Sequence, residues 1–235
     1  GSAMYIGNKI RDKYNKEFGL NGETIYLTSD IERREFKPVN IDNPKIIYCG
    51  NISMGRNNSL VDIGNALQKI NPNYHLDVYS AETKEEYIKP LNDCLGVTFH
   101  GAVPYTEVMK LTKESDINII VEGFNKKDVD ITRYSLSTKA ADAIASGGNI
   151  FAYGDINCGV IEYMQGTGCA VVCTDKDKLE KDLKKLIFDE ELQKKLYNKA
   201  ILVDKQDHDK DKNRSLTESM FVKLVEENNR RKNER

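Results

Sequence analysis

Short apolar runs alternate with longer amphipathic stretches along most of this chain, beginning near residue 45. The apolar runs are rich in isoleucine, valine and aromatic residues and are bounded by glycine or polar residues. Such near-continuous apolar runs are typical of β-strands buried on both faces of a sheet. The sequence predicts six of these strands, at residues 45–50, 75–80, 96–101, 117–123, 149–154 and 169–174.

The stretches between the strands have the period of helices. At residues 59–70, 106–115 and 177–189, apolar side chains recur every three or four positions and so share one helix face. Repeated alternation of strand and helix predicts an α/β fold, a Rossmann-like doubly wound parallel sheet with helices on both faces. Ligands of such folds bind outside the carboxyl ends of the strands, so candidate residues are expected there.

The first 44 residues do not follow this alternation. GSAM at residues 1–4 is typical of an expression tag. Residues 5–44 predict one helix (5–19), one strand (23–29) and a proline-containing linker (32–44). Because one helix and one strand cannot bury a core, this segment is expected to be the tail of a preceding N-terminal domain and its linker.

The rest of the chain divides into a main domain at residues 45–205 and a charged C-terminal helix with a frayed tail at 206–235. Residues 207–218 have acidic residues spaced as in a calcium-binding loop. Lys212 stands where the sharp turn of that loop needs glycine, so a charged connection between two helices is favoured.

Composition limits the function classes. The chain has 235 residues, 39% hydrophobic and 31% charged, with a net charge of −2, so no overall basic field indicates nucleic acid. No apolar run approaches the ~18 residues of a membrane span, although peripheral membrane contact, which needs only a patch, stays open. The five cysteines form no C-x-x-C pair, and three of them, Cys49, Cys169 and Cys173, lie in strand-like apolar runs that predict buried thiols. A reducing cytoplasm is the expected compartment, with the inner face of the membrane as an alternative location.

The stretch RYSLSTKAADAIASGG (133–148) predicts a helix with Ser137 or Thr138 as its N-cap and glycines at its end. Lys139 then occupies the first helical position, where the helix dipole disfavours a cation. One interpretation is a surface ion pair with Asp142, one turn further on. The other is a phosphate site formed by Lys139 and the free N–H groups of the first turn, with Asp142 accepting hydrogen bonds from a ribose.

The loop CGNISMGRNNS (49–59) provides a second cation at the carboxyl end of a strand. Gly50 and Gly55 allow close backbone approach, and Arg56 comes just before a predicted helix. The loop lacks the Lys-Ser/Thr pair of a P-loop, and a flexible loop with a surface arginine is the alternative. Two such sites on one sheet could hold the two phosphates of a diphosphate.

Four runs, in this order, are YCGNISMGRNNSLVDIGNAL, VTFHGAVPYTEVMKLTKESD, LSTKAADAIASGGNIFAYG and VIEYMQGTGCAVV. In order and spacing they resemble the C-terminal, nucleotide-sugar-binding domain of group-1 glycosyltransferases with the GT-B fold, over about residues 45 to 200. The preceding TIYLTSDIERREFKP is similar to the end of that family's N-terminal domain and the entry to its linker.

The resemblance implies a role for each cationic position. Lys139 would contact the donor's diphosphate, helped by the backbone of Ser137 and Thr138. Arg56 stands at the family's phosphate-binding lysine. Asn51, after Gly50 in the same loop, stands where many members have an arginine, so one cationic contact is absent.

The resemblance also implies where the nucleoside would lie. Asp142 stands where the family usually has a ribose-binding glutamate, one methylene longer. The turn containing His100, Gly101 and Val103 would lie beside the nucleobase. The family's other glutamate falls on Tyr134, and Glu122 lies too far along the chain to replace it.

By this resemblance the full-length protein would be a retaining, metal-independent hexosyltransferase of bacterial polysaccharide or glycan assembly. A nucleotide-diphosphate sugar would be its donor substrate, without a further cofactor. The glycan or lipid-linked acceptor and the catalytic side chain are expected in an N-terminal domain. This chain is therefore expected to bind donor and to turn over poorly or not at all.

Two alternatives keep the fold and change the function. The departures at Asn51, Tyr134 and Asp142 would suit a non-catalytic nucleotide-sugar-binding or regulatory module. A GT-B nucleotide-sugar epimerase is the other, although this segment offers few carboxylates and histidines. No metal site is predicted: the D-x-D at 128–130 is expected in a solvated loop. The three histidines have no ligand spacing and are expected at surface or capping positions.

Overall fold

The computed structural model describes residues 3–233. Its elements, in chain order, are β1 (Met4–Tyr5), α1 (Asn8–Phe18), β2 (Glu23–Thr24), β3 (Ile46–Cys49), α2 (Arg56–Ile70), β4 (Leu76–Tyr79), α3 (Glu85–Asn92), β5 (Val97–Gly101), α4 (Tyr105–Glu114), β6 (Ile117–Val121), α5 (Lys126–Thr132), α6 (Lys139–Ser146), β7 (Asn149–Tyr153), α7 (Gly159–Thr167), β8 (Val171–Cys173), α8 (Leu179–Phe188), α9 (Glu190–Asp207) and α10 (Lys210–Asn233). A single 3-10 turn, Lys176–Lys178, precedes α8.

The main sheet has six parallel strands in the order β5-β4-β3-β6-β7-β8. The chain therefore winds outward from β3 in one direction and from β6 in the other. The point between β3 and β6, where the strand order reverses, is the usual ligand-binding crevice of this architecture. The predicted fold class is confirmed.

All six predicted strands are present, and the helices predicted at 59–70, 106–115 and 177–189 correspond to α2, α4 and α8. The structure differs in two places. The strand predicted at 23–29 is reduced to the two residues of β2. The D-x-D segment, predicted as a loop, forms helix α5, because Val129 and Thr132 on one face of it are buried.

Burial explains the apolar strands. Every residue of β3, β6 and β7 is buried, whereas in β5, at the edge, exposed residues alternate with half-buried ones and only Val97 is buried. Two apolar clusters cover the two faces of the sheet. Helix α2 contributes to one of them through Leu60, Ile63 and Leu67, which are fully buried.

The N-terminal segment forms a small strand pair and a linker that packs on the main domain. Strands β1 and β2 form a separate parallel pair in which Met4, within the predicted tag, lies opposite Glu23. The linker follows α6 and α9: the Arg34 N–H donates to the Ser146 carbonyl at 3.1 Å, and the Val39 N–H donates to Gln193 Oε1 at 3.0 Å.

Most of the segment that resembled a calcium loop, residues 207–218, is helical, because α10 begins at Lys210; only His208 and Asp209 connect it to α9. In that connection His208 occupies the C-cap position of α9, as one of the two predicted options, and it is buried rather than solvated. Its Nδ1 lies 2.5 Å from the Leu27 carbonyl. All five cysteines are buried free thiols. Within residues 3–233, no helix is long and apolar enough to cross a membrane.

Candidate functional site

Helix α6 starts at Lys139 with Thr138 at its N-cap, as the sequence predicts. Neither cap side chain closes the first turn: the Thr138 hydroxyl makes no capping bond, and Ser137 accepts the Ala140 N–H through its backbone carbonyl at 3.0 Å. All four alanines of the helix are buried, so α6 packs closely on the sheet. It ends at Gly147, whose φ of 84° is the left-handed cap that glycine favours.

The Lys139 side chain reaches the carboxyl end of β3. Its ammonium donates to the Tyr48 hydroxyl at 3.2 Å and lies 4.8 Å from the centre of that ring. A Cβ on Gly50, where φ is +148°, would come within 2.3 Å of the Lys139 nitrogen. The Tyr48 hydroxyl donates in turn to the Asn51 carbonyl at 2.5 Å. The structure thus brings Lys139, Gly50 and Asn51 together.

The interpretation of Lys139 and Asp142 as a surface ion pair is wrong. Asp142 instead accepts a hydrogen bond from the Ser29 hydroxyl at 2.6 Å. Among the residues that the structure describes, no carboxylate oxygen lies within 4.0 Å of the Lys139 ammonium. Lys139 is therefore a partly exposed cation without a paired anion in that part of the chain.

Asp142 is half-buried beside the segment that precedes the linker. Burial raises the pKa of its carboxyl above the ordinary value of 3.8, and the hydroxyls of Ser29 and Tyr105 partly offset this effect. Because the bond from Ser29 already engages the carboxylate, a ribose would have to share or replace it. The ribose contact remains a prediction.

Arg56 is the first residue of α2 and is buried, with 8% of its surface exposed, so the interpretation as a flexible surface arginine is wrong. Its guanidinium donates to both carboxylate oxygens of Glu122, through Nε at 3.0 Å and Nη2 at 3.0 Å. Glu122 directly follows β6 and is only 2% exposed. Arg56 thus lies at the predicted place, in the crevice between β3 and β6, but with an anionic partner.

The loop between β3 and α2 is held against the end of β6. Met54 and Gly55 adopt left-handed backbone conformations, with φ of 58° and 76°. A Cβ on Gly123 would lie 2.6 Å from the Met54 carbonyl, and one on Gly55 would lie 2.7 Å from an oxygen of Asp128. These close approaches explain why glycines are needed on both segments.

Burial and pairing act together on the pKa values of this ion pair. Burial opposes the charge on Arg56, but the Glu122 carboxylate more than compensates and raises the pKa of the guanidinium. Burial also raises the pKa of Glu122, against the opposing effects of Arg56 and of Lys139 nearby. The family pattern assigns no role to Glu122, which lies too far along the chain from Asp142. A carboxylate directly after a wholly apolar strand was the signal that it lies at the sheet's ligand-binding edge.

The predicted nucleobase region lies two strands from β3. His100 on β5 stacks on Tyr79 of β4, with ring centroids 4.6 Å apart and planes inclined by 11°, and its Nε2 lies 2.7 Å from Asp77. Gly101 has a φ of 75°, at a shift in the pairing of β4 and β5, and Val103 follows in the half-buried turn. With strands spaced about 4.8 Å apart, His100 is roughly 10 Å from β3 across the sheet, whereas Tyr79 is on the strand next to β3.

Enclosed space beside Lys139 is small. A cavity of about 30 Å³ is lined by Cys49, Lys139 and Asp142, among others. A larger pocket of about 500 Å³ lies between α1, α7 and α9, and its lining within the described chain includes none of the predicted donor-site residues. A ligand of the candidate site would therefore lie along the open edge of the sheet.

No metal-ligand group is present in the part of the chain that the structure describes: no three histidine, cysteine, aspartate or glutamate side chains cluster. In the D-x-D segment, Asp130 pairs with Arg133 at 3.0 Å and Asp128 faces Gly55. The two aspartates of that motif thus have separate surroundings.

No protein-family model matches the chain, and no curated protein matches it in sequence. Solved structures do resemble it. A mutant of TarM from S. aureus, in complex with fondaparinux, α-GlcNAc-glycerol and UDP, matches with a TM-score of 0.65 at 14% identity, over 93% of this chain and 43% of TarM.

Two other solved structures are similar to this chain. A UDP-forming α,α-trehalose-phosphate synthase from Burkholderia vietnamiensis matches with a TM-score of 0.65 at 8% identity, over 95% of this chain and 62% of that one. The pneumococcal O-GlcNAc transferase GtfA, in complex with UDP and GlcNAc, matches with a TM-score of 0.62 at 12% identity, over 96% of this chain and 45% of that one. The chain spans about half the length of these proteins, and its fold is one Rossmann-like half of the GT-B fold.

Proposed function

We propose that this chain is the nucleotide-sugar donor-binding domain of a GT-B glycosyltransferase. The observation that carries the proposal is the position of Lys139, which begins α6 and extends its ammonium over Gly50 at the point where the strand order reverses. Unpaired N–H groups and a lysine at a helix N-terminus form an anion site. This anion site lies at the crevice where doubly wound sheets bind nucleotides.

The placement of Lys139 is easier to explain by ligand binding than by stability. A cation at the first helical position opposes the helix dipole, which costs about 0.3–1 kcal/mol at exposed positions. A bound diphosphate would offset this cost, because its negative charge interacts favourably with the helix N-terminus and with Lys139. In sugar transfer, charge develops on the leaving diphosphate, and Lys139 with the helix N–H groups would stabilise it there.

The finer parts of the proposal rest on the family resemblance. Transfer would proceed with retention at the anomeric carbon, without a metal cofactor, from a nucleotide-diphosphate hexose. A glycan or lipid-linked acceptor, and the catalytic side chain, would belong to a further domain of a longer protein acting in glycan assembly at the cytoplasmic side of the membrane. The chain spans only 43–62% of the glycosyltransferases described above, which supports this division.

Thermal unfolding with millimolar UDP, GDP, ADP or TDP tests the proposal. A ligand at 100 times its Kd stabilises the native state by about 2.7 kcal/mol, which shifts the Tm of a domain this size by several degrees. We expect one nucleoside diphosphate to raise Tm and Lys139→Ala to abolish the shift. The matched control is Lys126→Ala, which removes an exposed lysine from the first position of α5.

Two outcomes oppose the proposal. If none of the four nucleotides shifts Tm, donor binding by this chain is excluded at millimolar concentration. If Lys126→Ala and Lys139→Ala reduce a shift equally, the effect is one of overall charge and not of the site. Sugar transfer by the full-length gene product then separates a transferase from a non-catalytic binding module.

A further inference from the structure

Glu122 holds Arg56 in the geometry that a phosphate would use. Two parallel N–H···O bonds of 3.0 Å join the guanidinium to the two carboxylate oxygens. The planar fork of an arginine binds carboxylate and phosphate in this same bidentate way. The carboxylate of Glu122 therefore takes up the donors of Arg56 that a phosphate would need.

The two cations of the crevice, Arg56 and Lys139, differ in whether a carboxylate neutralises them. Arg56 begins α2 and Lys139 begins α6, so each lies at the positive end of a helix. Glu122 neutralises Arg56, with 2.8 Å between the nearest nitrogen and oxygen, whereas Lys139 has no carboxylate within 4.0 Å in the described chain. The crevice between β3 and β6 thus offers one uncompensated positive charge at this point, not two.

The backbone of Glu122 is fixed by hydrogen bonds on both sides of the residue. Its N–H donates to the Tyr153 carbonyl at 3.0 Å, and its carbonyl accepts the Ser59 hydroxyl at 2.8 Å. Gly154 allows the close packing, since a Cβ there would lie 3.0 Å from the Glu122 Cβ. Displacement of the Glu122 carboxylate from Arg56 would therefore have to occur by movement of the side chain, with this backbone in place.

We infer that Glu122 is a specificity-determining residue of the donor site, which competes with phosphate for Arg56. A single phosphate is bound by Lys139 and α6 alone. A diphosphate gains Arg56 as well, but only by displacing the Glu122 carboxylate, so its affinity is lowered by that competition. This inference rests on the proposed function, because it assigns the second phosphate contact of the same site.

Inorganic pyrophosphate and orthophosphate are suitable probes, because they do not depend on the identity of the base. Calorimetric titration would compare the unmodified protein with Glu122→Gln, which keeps the size of the side chain and removes its charge. We expect pyrophosphate to bind about tenfold more tightly to Glu122→Gln, because the variant removes the negative charge that competes with and repels the phosphate. A tenfold change in Kd corresponds to ~1.4 kcal/mol of binding free energy. Orthophosphate should gain much less.

Two further variants make the comparison specific. Glu180→Gln removes one negative charge from α8, where Glu180 pairs with Lys184 on the exposed surface, and should leave both affinities unchanged. The double variant Glu122→Gln/Arg56→Gln should lose the gain in pyrophosphate affinity, because the gain requires Arg56.

A second measurement needs no change at Glu122. The Nε–H resonance of Arg56, assigned by its loss in Arg56→Lys, should shift when the unmodified protein is saturated with pyrophosphate. A resonance that stays in place at saturation overturns the displacement of Glu122, even if Glu122→Gln is too unstable to titrate.

The outcomes separate the inference from the function beneath it. If Glu122→Gln binds pyrophosphate as the unmodified protein does, and Lys139→Ala still weakens that binding, Glu122 is only a structural partner of Arg56 and the proposed function stands. If pyrophosphate and all four nucleoside diphosphates fail to bind the unmodified protein, the proposed function and this inference are both wrong.

Discussion

The Lys139 ammonium lies 4.8 Å from the centre of the Tyr48 ring and 3.2 Å from its hydroxyl oxygen. An ammonium within about 6 Å of an aromatic face is attracted by the ring's quadrupole. Tyr48 is fully buried at its own position on β3, so it is a rigid support for a long, flexible side chain. This contact holds the cation at the carboxyl end of the strand, where the sequence alone could not place it.

Tyr48→Phe should separate the ring from the hydroxyl. The ring contact with Lys139 stays, but the hydrogen bonds to Lys139 and to the Asn51 carbonyl are lost. We expect a loss of about 1 kcal/mol in the free energy of unfolding and severalfold weaker binding of nucleoside diphosphate. Tyr74→Phe is the matched control, since it loses a hydroxyl bond to the Ile41 carbonyl far from the crevice and should not change binding.

Gly50→Ala should displace Lys139. The new Cβ would come 2.3 Å from the ammonium nitrogen, and the φ of +148° is unfavourable for alanine. We expect a destabilisation of about 1–3 kcal/mol together with loss of nucleotide binding. Gly168→Ala has a positive φ of +65° with nothing within 4 Å of its Cβ, so it should lower stability and leave binding intact. Equal effects of both variants on binding would contradict the steric argument.

Lys139→Ala should scarcely change stability while it removes binding. The variant loses the contact with Tyr48 but also relieves an unfavourable cation at the helix N-terminus, and each effect is worth about 0.5–1 kcal/mol. Alanine is in addition the strongest helix former. Denaturant titration should therefore give a free energy of unfolding within about 1 kcal/mol of the unmodified protein. A larger loss would mean that Lys139 is retained for stability.

Asp142→Asn should change how stability depends on pH. The folded-state pKa of Asp142 is raised by burial above its ordinary 3.8, so the folded protein binds the proton more tightly than the unfolded chain does. This contribution is fully present below pH 3.8 and is lost as the pH rises through the folded-state pKa. The stability of the unmodified protein relative to Asp142→Asn should accordingly fall across that range, in denaturant titrations at about pH 3.5 to 7.

Ser29→Ala provides the check on that sign. The Ser29 hydroxyl stabilises the ionised form of Asp142 and lowers its pKa, so its removal should raise the pKa further. The pH at which the contribution is lost should then move upward. A shift to lower pH would show that the hydroxyl does not act on Asp142 as described.

Arg56→Met should be strongly destabilising, because it leaves Glu122 buried without its cation. Loss of one partner of a buried pair typically costs about 3–5 kcal/mol. Arg56→Met/Glu122→Leu should recover most of this loss, because neither charge then stays buried. Arg133→Met, which breaks an ion pair with Asp130 between half-exposed side chains, should cost at most about 1 kcal/mol. A loss of only about 1 kcal/mol for Arg56→Met would contradict this expectation, because it would mean that the Arg56–Glu122 pair behaves as a solvent-exposed pair.

Local patterns in the sequence determined the fold and the edge of the sheet at which the candidate site lies. The apolar runs of β3, β6 and β7 and the periodic face of α2 specify burial on both sides of a parallel sheet, and parallel strands place all their carboxyl ends on one edge. The bounds of α6 were also predictable: it begins at Lys139 after Thr138, although no cap side chain bonds to its first turn, and it ends at Gly147 in the left-handed conformation that glycine favours.

Only the tertiary structure decided the partners of the charged groups. Glu122 and Arg56 are 66 positions apart, and Ser29 and Asp142 are 113 apart, so no periodicity relates them. Lys139 and Asp142, which helical spacing places on one face, instead contact Tyr48 and Ser29 on other segments. Hydrogen bonds and ion pairs act over a few ångströms, and which side chains come that close depends on how the sheet, its loops and the linker pack together.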